Sequence, residues 1–368
     1  MERASATRND ALDGLRGYAA LTVALGHSVL QVVGIPIWFT SVVDFSSMST
    51  LNILKRLMFV PFPQDAAVSV FFVLSGHVLW ESFARKDMAS FATAVDYVFA
   101  RLYRLLPSVI ASCILVGLLV VPNSTARELA SSMVLLSNGS NYVLWSLQVE
   151  LPCSLAIFAA WLLCGNSPAR LLGLTSIAIA ASCYEGITGI GPIFYFPAFC
   201  LGGLIGAVPQ RAWHSKTLLV GGLAALPLAS LFFRHLSAAR YIEMGAATAV
   251  VGFAATKMPS ILTNRVALFL GKISYPFYLT HTIGLLLIAP FVLTHLRHHI
   301  VPQFAISALV SIAITIPLAW LIHILVEMPV MRGRFRFSQA GRWRRPGGGR
   351  VAAQCSELPR PALPHAGE

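Results

Sequence analysis

The feature that most limits how this chain can fold is a succession of apolar runs, near residues 11–33, 66–83, 105–122, 144–164, 171–187, 193–208, 217–233, 241–256, 273–294 and 303–326. Each approaches the roughly 17–25 residues that a helix needs to cross the hydrocarbon of a bilayer. The runs are continuous and do not alternate, which argues against a transmembrane barrel. Hydrophobic residues make up 56% of the 368 and charged residues only 11%, with a mean hydropathy of +0.72. A soluble domain of that composition would aggregate. The expected fold is all-α, a polytopic transmembrane bundle of about ten helices over residues 1–332.

Orientation follows from the cations. With a cytoplasmic N-terminus, Arg3, Arg8, Arg16, Arg85, Lys86, Arg101, Arg104, Arg170, Arg211, Lys216, Lys257, Arg265, Lys272 and a basic tail fall inside. Lys55, Arg56, Arg127, Arg234, Arg240 and Arg297 fall outside. About 21 of the 27 Lys and Arg then lie inside, the asymmetry of the positive-inside rule, so both termini are expected in the cytoplasm. Topology accounts for the net charge of +12, and no nucleic-acid partner is expected. Residues 333–368 place Arg334, Arg336, Arg342, Arg344, Arg345 and Arg350 among Gly and Pro, a composition that cannot bury enough surface to fold alone. They are expected to form a disordered cytoplasmic tail, either lying on anionic lipid or serving only to fix topology.

The six cysteines form no close pair and read as small buried residues, without a zinc site or disulfide framework. The first run is too long for a cleavable leader and carries ionisable groups, so it is expected to stay in the mature protein. Those groups matter most. Arg16 opens the first run and His27 follows eleven positions later, which returns to within roughly 20° of the same helix face after a rise of about 16 Å. Ionisable groups at membrane depth are costly and mark functional sites. Arg16 is expected at the rim and His27 near mid-membrane.

Further polar groups recur in later runs. Ser75 and Gly76 in Val70-Phe71-Phe72-Val73-Leu74-Ser75-Gly76-His77 are small enough to let helices approach closely. Arg101 and Arg104 in Arg101-Leu102-Tyr103-Arg104-Leu105-Leu106-Pro107 share one helical face as a basic edge, suited either to phosphates or to lipid headgroups. Glu150 in Leu144-Trp145-Ser146-Leu147-Gln148-Val149-Glu150 lies about a turn inside an interfacial tryptophan, where it needs a partner or a proton. Tyr275, Tyr278 and His281 step by three residues along the ninth run and form a polar ribbon, lining either a cavity or an interhelical hydrogen-bond seam. Glu327 and Arg332 near the end of the tenth run read as a structural cap, and His295, His298 and His299 as an outer-loop cluster without carboxylates to support a metal.

Together these segments resemble the acyltransferase 3 family of multi-pass membrane O-acyltransferases, which modify sugars and related acceptors. Leu12-Asp13-Gly14-Leu15-Arg16-Gly17-Tyr18 through His27 matches its first-span motif, and the blocks above resemble its FFVLSGF, Arg-rich, LWSLSVE, GxxSYxxYLxH and VExPxxR signatures. His77 stands where an aromatic or aliphatic residue is usual, either as an added polar contact near the site or as a packing histidine. Leu151 and Pro152 replace a second glutamate after Glu150, which leaves Glu150 to act alone or with a cation.

The resemblance implies an acyl-CoA donor, acetyl-CoA foremost, with no bound cofactor and no metal. The acceptor would be a carbohydrate or lipid-linked glycan hydroxyl, and the setting the cell membrane, with a bacterial inner membrane expected. It implies His27 as the base, with Arg16 its partner in the same motif. A histidine, unperturbed near pKa 6.5, suits that task. Asp13 is some 21 Å along the helix from His27 and does not orient it, so Glu150 is the expected orienting group. Arg16, Arg101 and Arg104 are expected near the donor phosphates, with Asp13, Ser75, Tyr275, Tyr278 and His281 lining the substrate space. Direct attack by the hydroxyl and a covalent acyl-enzyme remain equally compatible with these residues. A transporter would share the spans and buried charges, and should show internal pseudo-repeats; no second half repeats the Arg16-to-His27 pattern.

Overall fold

The computed structural model describes residues 9–85, 91–121, 124–165, 167–184, 191–233, 238–296 and 299–333; the side chains of 91–94 lie outside that description, as does the basic tail beyond 333. Among the described residues, ten helices have fifteen residues or more. They are α1 (Asp10–Val33), α2 (Gln64–Ala84), α3 (Phe91–Leu119), α4 (Trp145–Cys164), α5 (Pro168–Ser182), α6 (Pro192–Ala207), α7 (Lys216–Phe233), α8 (Ala238–Lys257), α9 (Arg265–His295) and α10 (Ile300–Ile322). Each forms the body of one apolar run.

Among the described residues, six helical segments are long and apolar enough to cross a membrane: α2, α7, α9, Val95–Leu119 in α3, Tyr142–Cys164 around α4, and Ile300–Gly333 from α10 onward. The chain is an integral membrane protein with multiple apolar helices. The remaining four runs depart from the simple expectation for physical reasons. α5 and α6 are shorter, at 15 and 16 residues. α1 and α8 have the length but carry ionisable groups, and so lose apolarity.

Local signals set the ends of α1. The Asn9 side chain accepts from the Ala11 and Leu12 N–H groups, occupying donors that a helix start leaves bare. Gly34 stops the helix at φ 89°, a conformation costly for any other residue. Among the shorter helices between the long ones, two run to eight residues. Thr50–Leu57 is amphipathic and follows α1, and Ala126–Met133 precedes α4 and is started by a Thr125/Glu128 capping box.

α1 and α2 occupy the centre. α1 packs along α9, α10, α2 and α8, and α2 packs along α6, α8, α4 and α1. Small residues make these approaches possible. A Cβ added to Gly17 would lie 2.6 Å from the Gly271 nitrogen at the α1–α9 contact, and one added to Gly76 would lie 2.6 Å from the Phe199 Cα at the α2–α6 contact. His77 is buried at this second crossing, opposite Gly202. The apolar core continues through Phe72, Phe199, Ile157 and Leu144. Among the described residues five cysteines are free: Cys113, Cys153, Cys164 and Cys200 are buried, and Cys183 is exposed.

Candidate functional site

α1 runs without interruption, so the rise of about 16 Å between Arg16 and His27 is retained. At the Arg16 end, its Nη1 lies 3.2 Å from the Asp13 Oδ1 one turn earlier. Asp13 therefore serves Arg16 and not the imidazole, and its backbone is the surface against which Gly271 of α9 packs.

His27 meets α9. Its Nδ1 lies 2.8 Å from the Nε2 of His281, with the two rings nearly parallel at 9°. His281 is fully buried, and its Nδ1 lies 2.7 Å from the Tyr278 carbonyl oxygen. A carbonyl oxygen only accepts, so with both rings neutral the network has one solution. His281 Nδ1–H donates to Tyr278, His281 Nε2 accepts from His27 Nδ1–H, and His27 Nε2 is left with its lone pair. The edge of Tyr142 closes against the His27 ring with centroids 5.4 Å apart. Asn141 beside it donates from Nδ2 to the Leu279 carbonyl at 2.8 Å, tying the turn before α4 to α9.

The carboxylate that acts electrostatically on His27 is Asp65 in the first turn of α2. Asp65 Oδ1 lies 3.5 Å from Arg240 Nη2, and Arg240 Nη1 lies 3.0 Å from Glu243 Oε2. This chain of charge joins α2 to α8 inside the bundle, and Glu243 is only 1% exposed. Arg240 is therefore no outer-loop cation; its guanidinium is drawn inward to balance two carboxylates that could not be buried alone. Arg56 departs from the loop expectation likewise. It is 1% exposed, and donates from Nε to the Thr40 carbonyl at 2.6 Å and from Nη2 to the Ser230 carbonyl at 2.8 Å.

A second polar group lies among α2, α3 and α4. Arg101 Nη2 is 2.5 Å from Glu150 Oε1, and Ser75 Oγ donates to the same oxygen at 3.1 Å. The expectation that Glu150 orients His27 is corrected: its hydrogen bonds go to Arg101 and Ser75, because a buried guanidinium demands a counter-charge, and His281 occupies the position beside His27. The shared basic face of Arg101 and Arg104 is corrected as well. Arg101 turns into the bundle and is buried, whereas Arg104 is exposed.

The tyrosines of the ninth run take the seam alternative. Tyr275 Oη donates to the Leu105 carbonyl of α3 at 2.9 Å, and Tyr278 Oη donates to the Val143 carbonyl ahead of α4 at 3.2 Å. Beyond α10 the helix widens into a π-helical turn, His323–Glu327, where His323 Nδ1 lies 2.6 Å from Glu327 Oε2. Arg104 interacts electrostatically with Glu327 there. His298 lies outside the described residues.

The sequence reading missed Asp65, Arg240, Glu243, Asn141 and Tyr142. Asp65 and Arg240 stood one position outside the apolar runs, where a charge reads as loop. A signal was present in their signs: a carboxylate opening one run and an arginine opening another are natural partners when the two helices start at the same end of the bundle.

The fold and these groups define a multi-pass helical membrane protein organised around ionisable side chains held inside the bundle. Residues 9–324 match the family profile described as an acyltransferase domain, from the Asn9 cap through α10. The chain belongs to that family, acyltransferase 3. No curated protein and no solved structure matches it.

Proposed function

We propose that this protein transfers an acyl group, acetyl foremost, from acyl-CoA to a hydroxyl of a carbohydrate or lipid-linked glycan, with His27 Nε2 as the general base. The observation that carries the reading is the His27–His281 hydrogen bond inside a chain of this family. In the Ser-His-Asp arrangement a carboxylate fixes the histidine tautomer; here His281 does so, itself fixed by the Tyr278 carbonyl. The acceptor O–H gives its proton to His27 Nε2 as the oxygen bonds to the thioester carbonyl carbon. The C–S bond then breaks and the thiolate takes the proton back from His27, leaving an ester and free CoA. Asp65 offsets the imidazolium charge during that interval, the kind of preorganised electrostatic support that counts most in a dry site.

Arg16, Arg104 and the Arg101–Glu150 pair are assigned to the donor side, with both chain termini in the cytoplasm as the cation distribution favours. The membrane is assigned as a bacterial inner membrane. The test is transfer of radiolabel from acetyl-CoA into membrane glycans by cells expressing the wild type, His27→Ala or Arg16→Ala at matched levels. Label with the wild type and none with His27→Ala is expected. Persistent label in His27→Ala would remove the proposed base.

A further inference from the structure

The connection from α1 to α2 is built inside out. Its helix Thr50–Leu57 places Leu51, Leu54 and Leu57 at three-residue steps along one face, and all three are exposed, Leu54 at 58%. Asn52 and Arg56, one turn apart, fall on the opposite face. That face is turned inward. Asn52 is half-buried and Arg56 is buried, with its guanidinium donating to the Thr40 and Ser230 carbonyls and lying 5.7 Å from the centre of the Phe59 ring.

A helix on a water-facing surface turns its leucines to the core and its cations outward. The reverse arrangement is favourable only where the medium outside the protein is itself apolar. Eight residues rise about 12 Å, well short of the roughly 30 Å of hydrocarbon in a bilayer, so this helix can lie in a leaflet but cannot span one. The rest of the connection repeats the pattern. Ile35, Phe39 and Val43 are exposed, Val43 at 71%, whereas Ser41 is buried.

This apolar surface continues that of a membrane-length helix. Ser230, which receives Arg56, belongs to α7, one of the helices long and apolar enough to cross a membrane. The 3₁₀ turn Val42–Ser47 packs on α7, and Phe232 and Phe233 at the end of α7 are exposed. Lys55 stands at the edge of the leucine face and is half-buried, the position from which a long cationic side chain reaches lipid headgroups.

We infer that residues 35–57 form an interfacial element seated in the phospholipid leaflet at the end of the bundle where α1 finishes, with Leu51, Leu54 and Leu57 among the upper acyl chains and the Lys55 ammonium at the headgroups. An amphipathic helix lying in the plane of the interface sinks its apolar face by about 5–10 Å. The seat does not depend on the acyl-transfer reading. It does set the depth of the site: His27 stands six residues before Val33, the end of α1, or about 9 Å along the helix, and so lies nearer to this leaflet's surface than to the opposite one.

The experiment uses the full chain in nanodiscs of phosphatidylethanolamine and phosphatidylglycerol. A nitroxide is attached at Leu51→Cys, at Leu54→Cys, or at Leu228→Cys on an exposed position of α7, in a background whose six native cysteines are replaced by serine. Power saturation measures collisions with oxygen, which concentrates in lipid, and with a nickel chelate, which stays in water. Expected at Leu51 and Leu54 is an oxygen-to-nickel ratio several-fold above that of a free aqueous nitroxide and on the same side of it as Leu228. A ratio at both positions equal to the aqueous one overturns the seat. Dipolar broadening between labels at Leu54, with loss of the oxygen collisions, would give this face to a second copy of the chain and also overturn it. The unsubstituted protein supplies the second measurement, for which the cysteine-free background need not fold. A phospholipid carrying a diazirine near its headgroup is photolysed in the same discs, and adducts are mapped by mass spectrometry. Adducts on Leu51 or Leu54 are expected, and residues 35–57 free of adducts beside a labelled α7 would overturn the inference.

Discussion

His27 and His281 come from positions 254 residues apart, and their facing nitrogens lie 2.8 Å from each other. Three contacts hold them there. Gly17 and Gly271 let α1 and α9 approach, the Tyr278 carbonyl fixes the His281 ring, and Ser311 of α10 donates to the His281 carbonyl at 2.9 Å. The imidazole of His27 is thus positioned from a neighbouring helix, and its tautomer is set by a hydrogen bond two groups away.

From this follows a graded effect on rate. His27→Ala should lower kcat by about 10²–10⁴-fold, the range ascribed to a general base. His281→Phe keeps a planar ring and removes the acceptor nitrogen, so His27 loses the partner that selects its tautomer; kcat should fall roughly tenfold or more, with little change in KM for acetyl-CoA. Steady-state kinetics in nanodiscs would decide, and wild-type kcat in His281→Phe would refute the relay.

The Arg101–Glu150 pair makes a prediction about stability as well as activity. Arg101 is 8% exposed, so Glu150→Leu leaves a buried charge uncompensated and should cost about 3–5 kcal/mol. Arg101→Met should also destabilise by stranding the carboxylate. The double variant removes both charges and should be more stable than either single one. Thermal unfolding measures the first effect and acyl transfer the second. Transfer that stays lost in the stable double variant would mark the pair as part of the donor site, and full activity there would make it purely architectural.

Much of this arrangement is legible in the sequence. The all-helical character was legible because sustained apolarity leaves the backbone few alternatives, and among the described residues six helical segments are long and apolar enough to cross a membrane. Arg16 and His27 could be placed on one helix because their spacing is local. What was not legible is partnership between helices. Glu150 was matched to His27 because both are costly at depth; only the packing of α3 against α4 reveals Arg101 as the nearer charge. The apolar criterion itself hid Asp65 and Arg240, since both stand just outside the runs it draws and pair with each other inside the bundle.

Outside the apolar helices, Glu128 supplies a pH-dependent contact. The Thr125 backbone N–H and hydroxyl each donate to its Oε2 at 3.0 Å, holding the carboxyl below its ordinary range. A depressed folded-state pKa means that the contribution is present above the unfolded carboxyl value, about 4.3, and is lost as pH falls through the folded value. An NMR titration of the Glu128 side-chain carbonyl carbon should give a midpoint below that of an unstructured glutamate. Thr125→Ala removes the hydroxyl and should move the midpoint upward; an identical midpoint in both proteins would rule out the capping box.

The crossing of α2 and α6 offers a test of packing alone. A Cβ at Gly76 would meet the Phe199 Cα at 2.6 Å. That neighbour is backbone and cannot rotate away, so Gly76→Ala must separate the helices or bend one of them. Such overpacking costs about 1–3 kcal/mol. Gly221 on α7 is the control, because a Cβ there meets nothing within 4 Å, and alanine is the better helix former by about 1 kcal/mol. Thermal unfolding in the same detergent should show Gly76→Ala below the wild type and Gly221→Ala at or above it. The separation also bears on the site, since Ser75 adjoins Gly76 and donates to Glu150 at 3.1 Å. A Gly76→Ala protein that unfolds earlier but transfers acyl groups at the wild-type rate would show that the bundle absorbs the strain before it reaches Ser75, while a joint loss would tie the helix crossing to the chemistry.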